Sequence, residues 1–342
     1  MNKKRIAING FGRIGRAFFK IALNDPECEI VAINDLMDPE TLLYLLSYDS
    51  VYGGFMQGKI TLDGADLVTP FGHVKLLQEK EPTKLPWRDM KIDVVIESTG
   101  LYTNYDKAQF HIDQGASHVL ITGPVKGESA AKGITALSGI NLDQVTTCSI
   151  TSNASCTTNS ASPIIAIMDE SIGIEKAILS TVHAYTATQS IVDGGGKKDK
   201  REMRAAAQNI IPSTTGAAIA VTEVYEPLKN KFDGISLRVP VVAGSIADIT
   251  FISKRPTTVE EVQRILVKAS QDPRWEGIFT ASNAPLVSTD IIGSPYASIA
   301  DLQMVKVVDG NLVKVLAWYD NEMGYTHTLL RHVKAIKSIP RS

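Results

Sequence analysis

Three cysteines in 342 residues leave little for a covalent framework. Cys28, Cys148 and Cys156 form no CxxC or other paired spacing, so neither a disulfide scaffold nor a thiolate zinc site is expected and a reducing compartment fits. Charge of one sign is missing too: 35 Lys plus Arg stand against 37 Asp plus Glu, a net charge of −2. That balance argues against nucleic acid as a primary partner and against an anionic membrane surface. No apolar run reaches the ~18 residues of a spanning helix. The basic start Met1–Arg5 passes through Ile6-Ala7-Ile8 into Asn9-Gly10 before an export segment can form. A soluble, cytoplasmic protein is expected. His327 and His332 are five apart, His111 and His118 seven apart, without matching carboxylates, so no metal site is expected. What remains is an ordinary globular composition, 44% hydrophobic with 25 Gly and 15 Pro, which excludes disorder and predicts about two domains with sizeable cores.

Arg5–Asn9 is a short apolar run, a glycine-rich turn follows, and Ile14–Leu23 carries apolar positions at helical spacing until Asn24-Asp25-Pro26. Glu29–Asn34, Asp93–Glu97 and His118–Thr122 are further β-branched runs. Strands alternating with helices predict an α/β fold, a doubly wound, mostly parallel sheet. After about residue 150 the pattern changes. Ala177–His183, Ile235–Val242, Ser245–Ser253 and Leu312–Tyr319 read as longer strands with a helix over Thr258–Ser270, an α+β domain with a mixed or antiparallel sheet. Asn321–Lys337 carries a helical apolar stripe that has to dock on something already folded. Asp193–Asp199, with three consecutive glycines, reads as a surface loop.

Gly10-Phe-Gly12-Arg-Ile-Gly15 is GxGxxG between the first strand and helix, where glycine lets backbone approach a pyrophosphate and the helix N-terminus offers free N–H groups. Asp35 ends the next strand twenty positions past Gly15, where a carboxylate accepts from the ribose hydroxyls and repels a 2′-phosphate. This predicts NAD binding.

A cysteine standing alone is more often a small buried hydrophobe than a nucleophile. Cys156 differs in its company: Ser152-Asn-Ala-Ser155-Cys-Thr157-Thr158-Asn159 is polar and precedes the apolar run from Ile164. A thiolate there would gain from a helix N-terminus, although Pro163 predicts irregular first turns. His183 closes a predicted strand and opens His-Ala-Tyr-Thr186-Ala-Thr-Gln189; with Cys156 it would form a base-assisted thiol pair. Pro212-Ser-Thr-Thr215-Gly216-Ala217 offers hydroxyls and a backbone N–H as a phosphate nest. Arg238, inside an apolar strand, has to find an anionic or acceptor partner.

At these residues the sequence resembles the phosphorylating glyceraldehyde-3-phosphate dehydrogenase family. The motifs Asn9–Arg16, Tyr48-Asp-Ser-Val51, Glu97-Ser-Thr-Gly100, Ser155-Cys-Thr-Thr-Asn159, His183–Gln189, Ala205–Pro212, Leu237-Arg-Val-Pro240 and Trp318-Tyr-Asp-Asn-Glu322 occur in the family's order. The resemblance implies a Rossmann NAD-binding domain over 1–154, a catalytic domain over 155–320, and a terminal helix within 321–342 returning to the first, assembled as a homotetramer. It implies Cys156 as nucleophile and His183 as base in the oxidation of glyceraldehyde 3-phosphate through a thiohemiacetal and a thioester that inorganic phosphate cleaves. Thr186 and Arg238 would hold the substrate phosphate, and Ser155, Thr157, Thr215 and Gly216 the attacking one. The cofactor set would be Gly10, Gly12, Arg13, Ile14, Gly15, Asp35, Lys80, Ser98, Thr122, Asn321 and Tyr325.

The chain departs from the family pattern at Ser160, where many members carry a second cysteine, so a disulfide switch at the site is not expected. The loop Asp193–Gly196 lacks a proline common in NAD-specific relatives, and Lys80 is basic where NADP-using relatives are basic. Both leave room for NADP, which Asp35 opposes. The nearest rival, erythrose-4-phosphate dehydrogenase, departs after the catalytic histidine, where His183–Gln189 matches the triose-phosphate enzyme better. A non-catalytic NAD-binding protein would have no use for Cys156, His183 and two anion sites.

Overall fold

The computed structural model describes residues 3–197 and 199–337. Lys198 of the expected surface loop, and residues 1–2 and 338–342 of the expected end segments, lie outside them. The chain divides into two compact units, residues 1–137, 141–154 and 326–342 in one, 138–140 and 155–325 in the other.

The first unit holds strands β1 (Lys4–Asn9), β2 (Cys28–Asn34), β3 (Thr61–Asp63), β4 (Asp66–Thr69), β5 (Gly72–Leu77), β6 (Val94–Glu97), β7 (His118–Ile121), β8 (Gly133–Thr135) and β9 (Ile150–Ser152), with helices α1 (Arg13–Ala22), α2 (Pro39–Ser47) and α3 (Tyr105–Asp113). They form one sheet in the order β3-β4-β5-β2-β1-β6-β7-β9-β8. From β5 to β8 every pairing is parallel; only β3–β4 and β4–β5 are antiparallel. All four residues of β6 and of β7 are buried, apolar except for Glu97 and His118 at the strand ends, as in strands covered on both faces. The strand ends β1, β2 and β6 stand side by side, with Asn9 paired to Asn34 and to Glu97.

Helix α1 is anchored by the Tyr48–Val51 motif. Asp49, its side chain only 4% exposed, takes Arg13 Nη1 and Lys20 Nζ, each at 2.9 Å, and accepts the Val51 N–H. Burial alone would raise its pKa; the Val51 N–H, Lys20 and Arg13 outweigh it and hold the carboxyl well below the usual range. A depressed folded-state pKa stabilises the fold above the unfolded value near 4 and loses that contribution as pH falls. Asp49→Asn is therefore expected to cost about 2–3 kcal/mol at neutral pH. The gap between the denaturant midpoints of variant and wild type should be full above about pH 4 and narrow progressively as pH falls below it.

The second unit holds β10 (Ile174–Ala184), β11 (Ile211–Thr214), β12 (Phe232–Val239), β13 (Ser245–Ser253), β14 (Phe279–Ser282), β15 (Ser298–Asp301), β16 (Lys306–Val308) and β17 (Leu312–Tyr319), with α4 (Cys156–Ile172), α5 (Ala217–Val224), α6 (Val259–Ala269) and the start of α7 (Met323–Ala335). Its sheet runs β11-β12-β10-β13-β17-β15-β14, with β16 on β17, parallel at β10–β12 and β14–β15 and otherwise antiparallel. Strand β13 alternates strictly between buried and half-buried residues, so one face packs in a core with α4, α5 and α6 side chains. The opposite face presents Ile178, Ile235 and Leu312, each more than 40% exposed.

Two expectations are corrected. The strand predicted over Ile235–Val242 starts earlier, at Phe232, and stops at Val239, because Pro240 has no N–H for the ladder. Pro163 does not disturb the start of α4, which is helical from Cys156 onward. Ser155 caps it by accepting the Thr158 N–H, and Ser162 Oγ donates to Thr158 O at 2.7 Å. The Asp193–Gly196 stretch is exposed as expected, and Asp193 ties it to Arg204 Nε and the Ala205 N–H, both at 2.9 Å.

Candidate active site

In the second unit α4 and β10 bring the two reactive side chains together. Cys156 is the first residue of α4 and His183 the last but one of β10. Sγ lies 3.3 Å from Nε2. His183 Nδ1 is 2.7 Å from Ala184 O; a carbonyl only accepts, so this contact is a hydrogen bond in the tautomer with the proton on Nδ1, the one that leaves Nε2 as the base facing sulfur. Arg238, paired with His183 across β10–β12, puts Nη1 2.6 Å from Nδ1 and 3.3 Å from the same carbonyl; a guanidinium only donates, so in that tautomer its hydrogen goes to the carbonyl, and Nδ1 accepts it only in the other. Its Nε is buried and has no hydrogen-bond partner among the described residues. An unpaired guanidinium N–H is costly unless a ligand completes it.

Burial, followed by the Arg238 charge, pushes the imidazole down to about 3, so it is neutral at physiological pH. The expected lowering of the thiol by the helix terminus does not prevail. Burial pushes Cys156 up, against the Arg238 charge and the Thr157 hydrogen bonds. In the resting pair the proton therefore sits on sulfur. Of the other cysteines, Cys28 is pushed up to about 12 by burial and Asp25, and Cys148 donates to Ile150 O at 3.2 Å.

Around this pair the remaining predicted anion ligands are distributed unevenly. Ser155 is the N-cap of α4. Gly216 is the N-cap of α5 and brings no side-chain cap, while Thr215 Oγ1 accepts the Ala217 N–H. Thr186 Oγ1 is 2.9 Å from Thr188 Oγ1. Thr157 is buried, and its hydroxyl lies 2.8 Å from that of Tyr319. Asn321 and Tyr325 belong to the second unit, where Ser245 Oγ donates to Asn321 Oδ1 at 3.1 Å.

In the first unit Gly10, Gly12, Asp35, Lys80 and Ser98 line a cavity of about 310 Å3 at the ends of β1, β2 and β6. Gly10 has φ +93°, and a Cβ there would meet Thr99 N at 2.6 Å; a Cβ on Gly15 would collide with Gly10 O. Gly12 caps α1 without a side-chain bond, and a helix N-terminus attracts an anion through its N–H groups and dipole. Asp35 is held by the N–H groups of Phe11 (2.6 Å) and Met37 (3.0 Å). Ser98 Oγ donates to Gly10 O at 2.6 Å, and Thr122 Oγ1 to Glu97 O at 3.1 Å. Arg13, Ile14 and Gly15 form the first turn of α1. These groups fit a dinucleotide.

Family comparison agrees with both halves. Residues 4–105 match the family model "Glyceraldehyde 3-phosphate dehydrogenase, NAD binding domain", and residues 155–321 match "Glyceraldehyde 3-phosphate dehydrogenase, C-terminal domain". The chain belongs to the glyceraldehyde-3-phosphate dehydrogenase family. It is 46% identical to the glyceraldehyde-3-phosphate dehydrogenase of Thermotoga maritima over 329 residues (95% of this chain, 97% of the relative). It is 44% identical to that of Mycobacterium avium over 334 residues and 42% identical to that of Geobacillus stearothermophilus over 328 residues, with 95% of this chain and 96% of the relative covered in each case. The cofactor of this glyceraldehyde-3-phosphate dehydrogenase family member is NAD, and it is an NAD-dependent oxidoreductase.

Sequence reasoning gave no role to two residues of quoted motifs. Tyr319 of Trp318–Glu322 bridges Thr157 and Thr181 through its hydroxyl, 2.8 Å to each, and stands edge-on to the His183 ring. It thereby ties the nucleophile's helix to the base's strand. Glu97 of the Glu97–Gly100 motif bonds His111 Nε2 at 3.0 Å, which corrects the expectation that His111 lacks a carboxylate. Their recurrence in motifs without an assigned task was the available signal. Among the described residues no cluster of three His, Cys, Asp or Glu side chains is suited to a metal ion, and no helix is long and apolar enough to cross a membrane.

Proposed function

We propose that this chain oxidises D-glyceraldehyde 3-phosphate to 1,3-bisphosphoglycerate with NAD and inorganic phosphate. The observation that carries this reading is Cys156 Sγ at 3.3 Å from His183 Nε2, beside an Arg238 guanidinium with a buried N–H that has no partner among the described residues. Arg238 and Thr186 take the substrate phosphate. Sulfur adds to the aldehyde carbon as Nε2 takes the thiol proton and returns it to the oxygen, giving the thiohemiacetal. His183 then removes that hydroxyl proton as hydride leaves carbon, and the thioester forms. NAD supplies the hydride acceptor. Phosphate held by Ser155, Thr215, Gly216 and Thr157 attacks the thioester carbonyl, and the thiolate leaves; Thr157 must exchange its bond to Tyr319 to take part. The imidazolium stabilises the oxyanion at each addition.

The cofactor roles of Gly10, Gly12, Arg13, Ile14, Gly15, Asp35, Lys80, Ser98, Thr122, Asn321 and Tyr325 belong to the same reading. Asp35→Gly is expected to raise the ratio of kcat/KM for NADP to that for NAD by about 10–100-fold, since one charged hydrogen bond is worth ~1.5–3 kcal/mol. An unmoved ratio contradicts the role of Asp35. The exposed sheet face with Ile178, Ile235 and Leu312 supports a homo-oligomer, read as a tetramer, in which copies cover it. The cysteine pattern and the near-neutral charge support a cytoplasmic enzyme with neither membrane nor nucleic acid as primary partner. The test is NADH formation from glyceraldehyde 3-phosphate with and without phosphate, repeated with NADP and with erythrose 4-phosphate. Phosphate-dependent NADH from the triose supports the reading, and a preference for the tetrose overturns it.

A further inference from the structure

Beside the cofactor cavity runs a chain of buried polar side chains to which none of the roles above assigns a task. Glu97, 2% exposed, closes β6. Its Oε1 accepts the Thr99 N–H at 3.0 Å and the Thr99 hydroxyl. Its Oε2 accepts Asn9 Nδ2 at 2.6 Å and meets His111 Nε2 at 3.0 Å.

Trp87 Nε1 is 2.8 Å from His111 Nδ1, and an indole only donates. His111 Nδ1 is therefore the acceptor, Nε2 carries the hydrogen, and it donates to Glu97. On the other side Asn9 gives its amide N–H to Glu97 and so turns its oxygen to Asn34 Nδ2, 2.8 Å away. The second N–H of Asn34 goes to Glu79 O at 3.0 Å, and its oxygen receives the Glu79 N–H at 2.9 Å. Asn34 thus grips the Glu79 backbone with two bonds, as a neighbouring strand would. Asn9, Asn34, Glu79, Lys80 and Thr99 all line the cavity.

We propose that Glu97 and Asn34 are positioning residues of the NAD site. Glu97, an acceptor at all its bonds, fixes the polarity of a one-way relay through Asn9 and Asn34, and the relay holds the Glu79–Lys80 loop and Thr99 in the shape that receives the adenosine half. The inference rests on the reading of that cavity as the NAD site.

Asn34→Asp is isosteric but turns the two donated bonds into carboxylate facing Asn9 Oδ1 and Glu79 O. Asn34→Ser is too short to reach Glu79 and carries the test should the aspartate variant fail to fold. Glu97→Gln sets an N–H against either Thr99 or the Asn9–His111 pair. For each, the dissociation constants of NAD and of ADP-ribose are measured by calorimetry alongside steady-state kinetics. The expected result is an ADP-ribose dissociation constant and a KM for NAD raised about 10-fold or more, the loss of one to two buried hydrogen bonds. The KM for the aldehyde and kcat at saturating NAD should stay within about twofold. The Asn34→Asp defect should ease as pH falls toward about 4, where the introduced carboxyl regains a proton to donate. Folded variants that bind ADP-ribose as wild type does, or that lose kcat in step with affinity, overturn the proposal. Failure of the wild-type enzyme to bind ADP-ribose overturns the cavity reading instead.

Discussion

Cys156→Ser is expected to lower dehydrogenase turnover by about 10⁴–10⁶-fold, the range typical of removing a covalent nucleophile, while the dissociation constant for NAD stays unchanged. The size of the loss follows from the site. The base facing the thiol is His183 Nε2, 3.3 Å from Sγ, and burial and the Arg238 charge push this imidazole well below its usual range, so that it is neutral. A neutral imidazole can draw a proton from a thiol whose sulfur is bonding to carbon in the same step. It draws one far less readily from an alcohol, which is a much weaker acid and a harder nucleophile. The cavity with Gly10, Asp35 and Ser98 is built wholly by the first unit, so the serine leaves it intact. Turnover within tenfold of wild type would remove the covalent route, and loss of NAD binding would mean that the substitution disturbed more than the nucleophile.

His183→Asn is expected to slow acylation by ~10²–10⁴-fold, the usual contribution of a positioned general base. Asparagine can still bond Ala184 O, but it cannot take the thiol proton or carry a charge beside the oxyanion. The quantity to measure is the first-turnover rate of NADH formation by rapid mixing, because a slow later step would hide the effect in steady state. Alkylation of Cys156 by iodoacetamide at neutral pH should slow as well. An unchanged first-turnover rate would assign the base elsewhere, and the described structure offers no other histidine against Cys156.

Much of this architecture was legible in the sequence because it is local. GxGxxG, the acid twenty positions on and the apolar runs of β6 and β7 are each read within one strand–helix unit. The helix over Thr258–Ser270 was found to its caps, since Thr258 accepts the Glu261 N–H and Ser270 closes the last turn. Errors arose where one residue acted against its neighbours. Pro240 ended a strand that its β-branched surroundings extended, and the caps and packing of α4 absorbed Pro163. The site was legible as two residues, Cys156 and His183, and less so as their setting. Tyr319 reaches Thr157 across 162 positions and Thr181 across 138, and no periodicity reports such a contact. His111 looked unpaired for the same reason: Glu97 lies 14 residues earlier, on a strand that only the sheet brings alongside. Nor could sequence decide the direction of the thiol's shift, which depends on how burial weighs against Arg238 and the helix terminus.

The central claim is that oxidation proceeds through a thioester on Cys156 that phosphate releases. The most direct test mixes enzyme, NAD and glyceraldehyde 3-phosphate rapidly without phosphate, follows NADH, and examines the quenched protein by mass spectrometry. The account predicts a burst of at most one NADH per Cys156, an acyl adduct on that residue, and resumed turnover when phosphate is added. Continuous NADH formation without phosphate, or a burst with no adduct on Cys156, would contradict it.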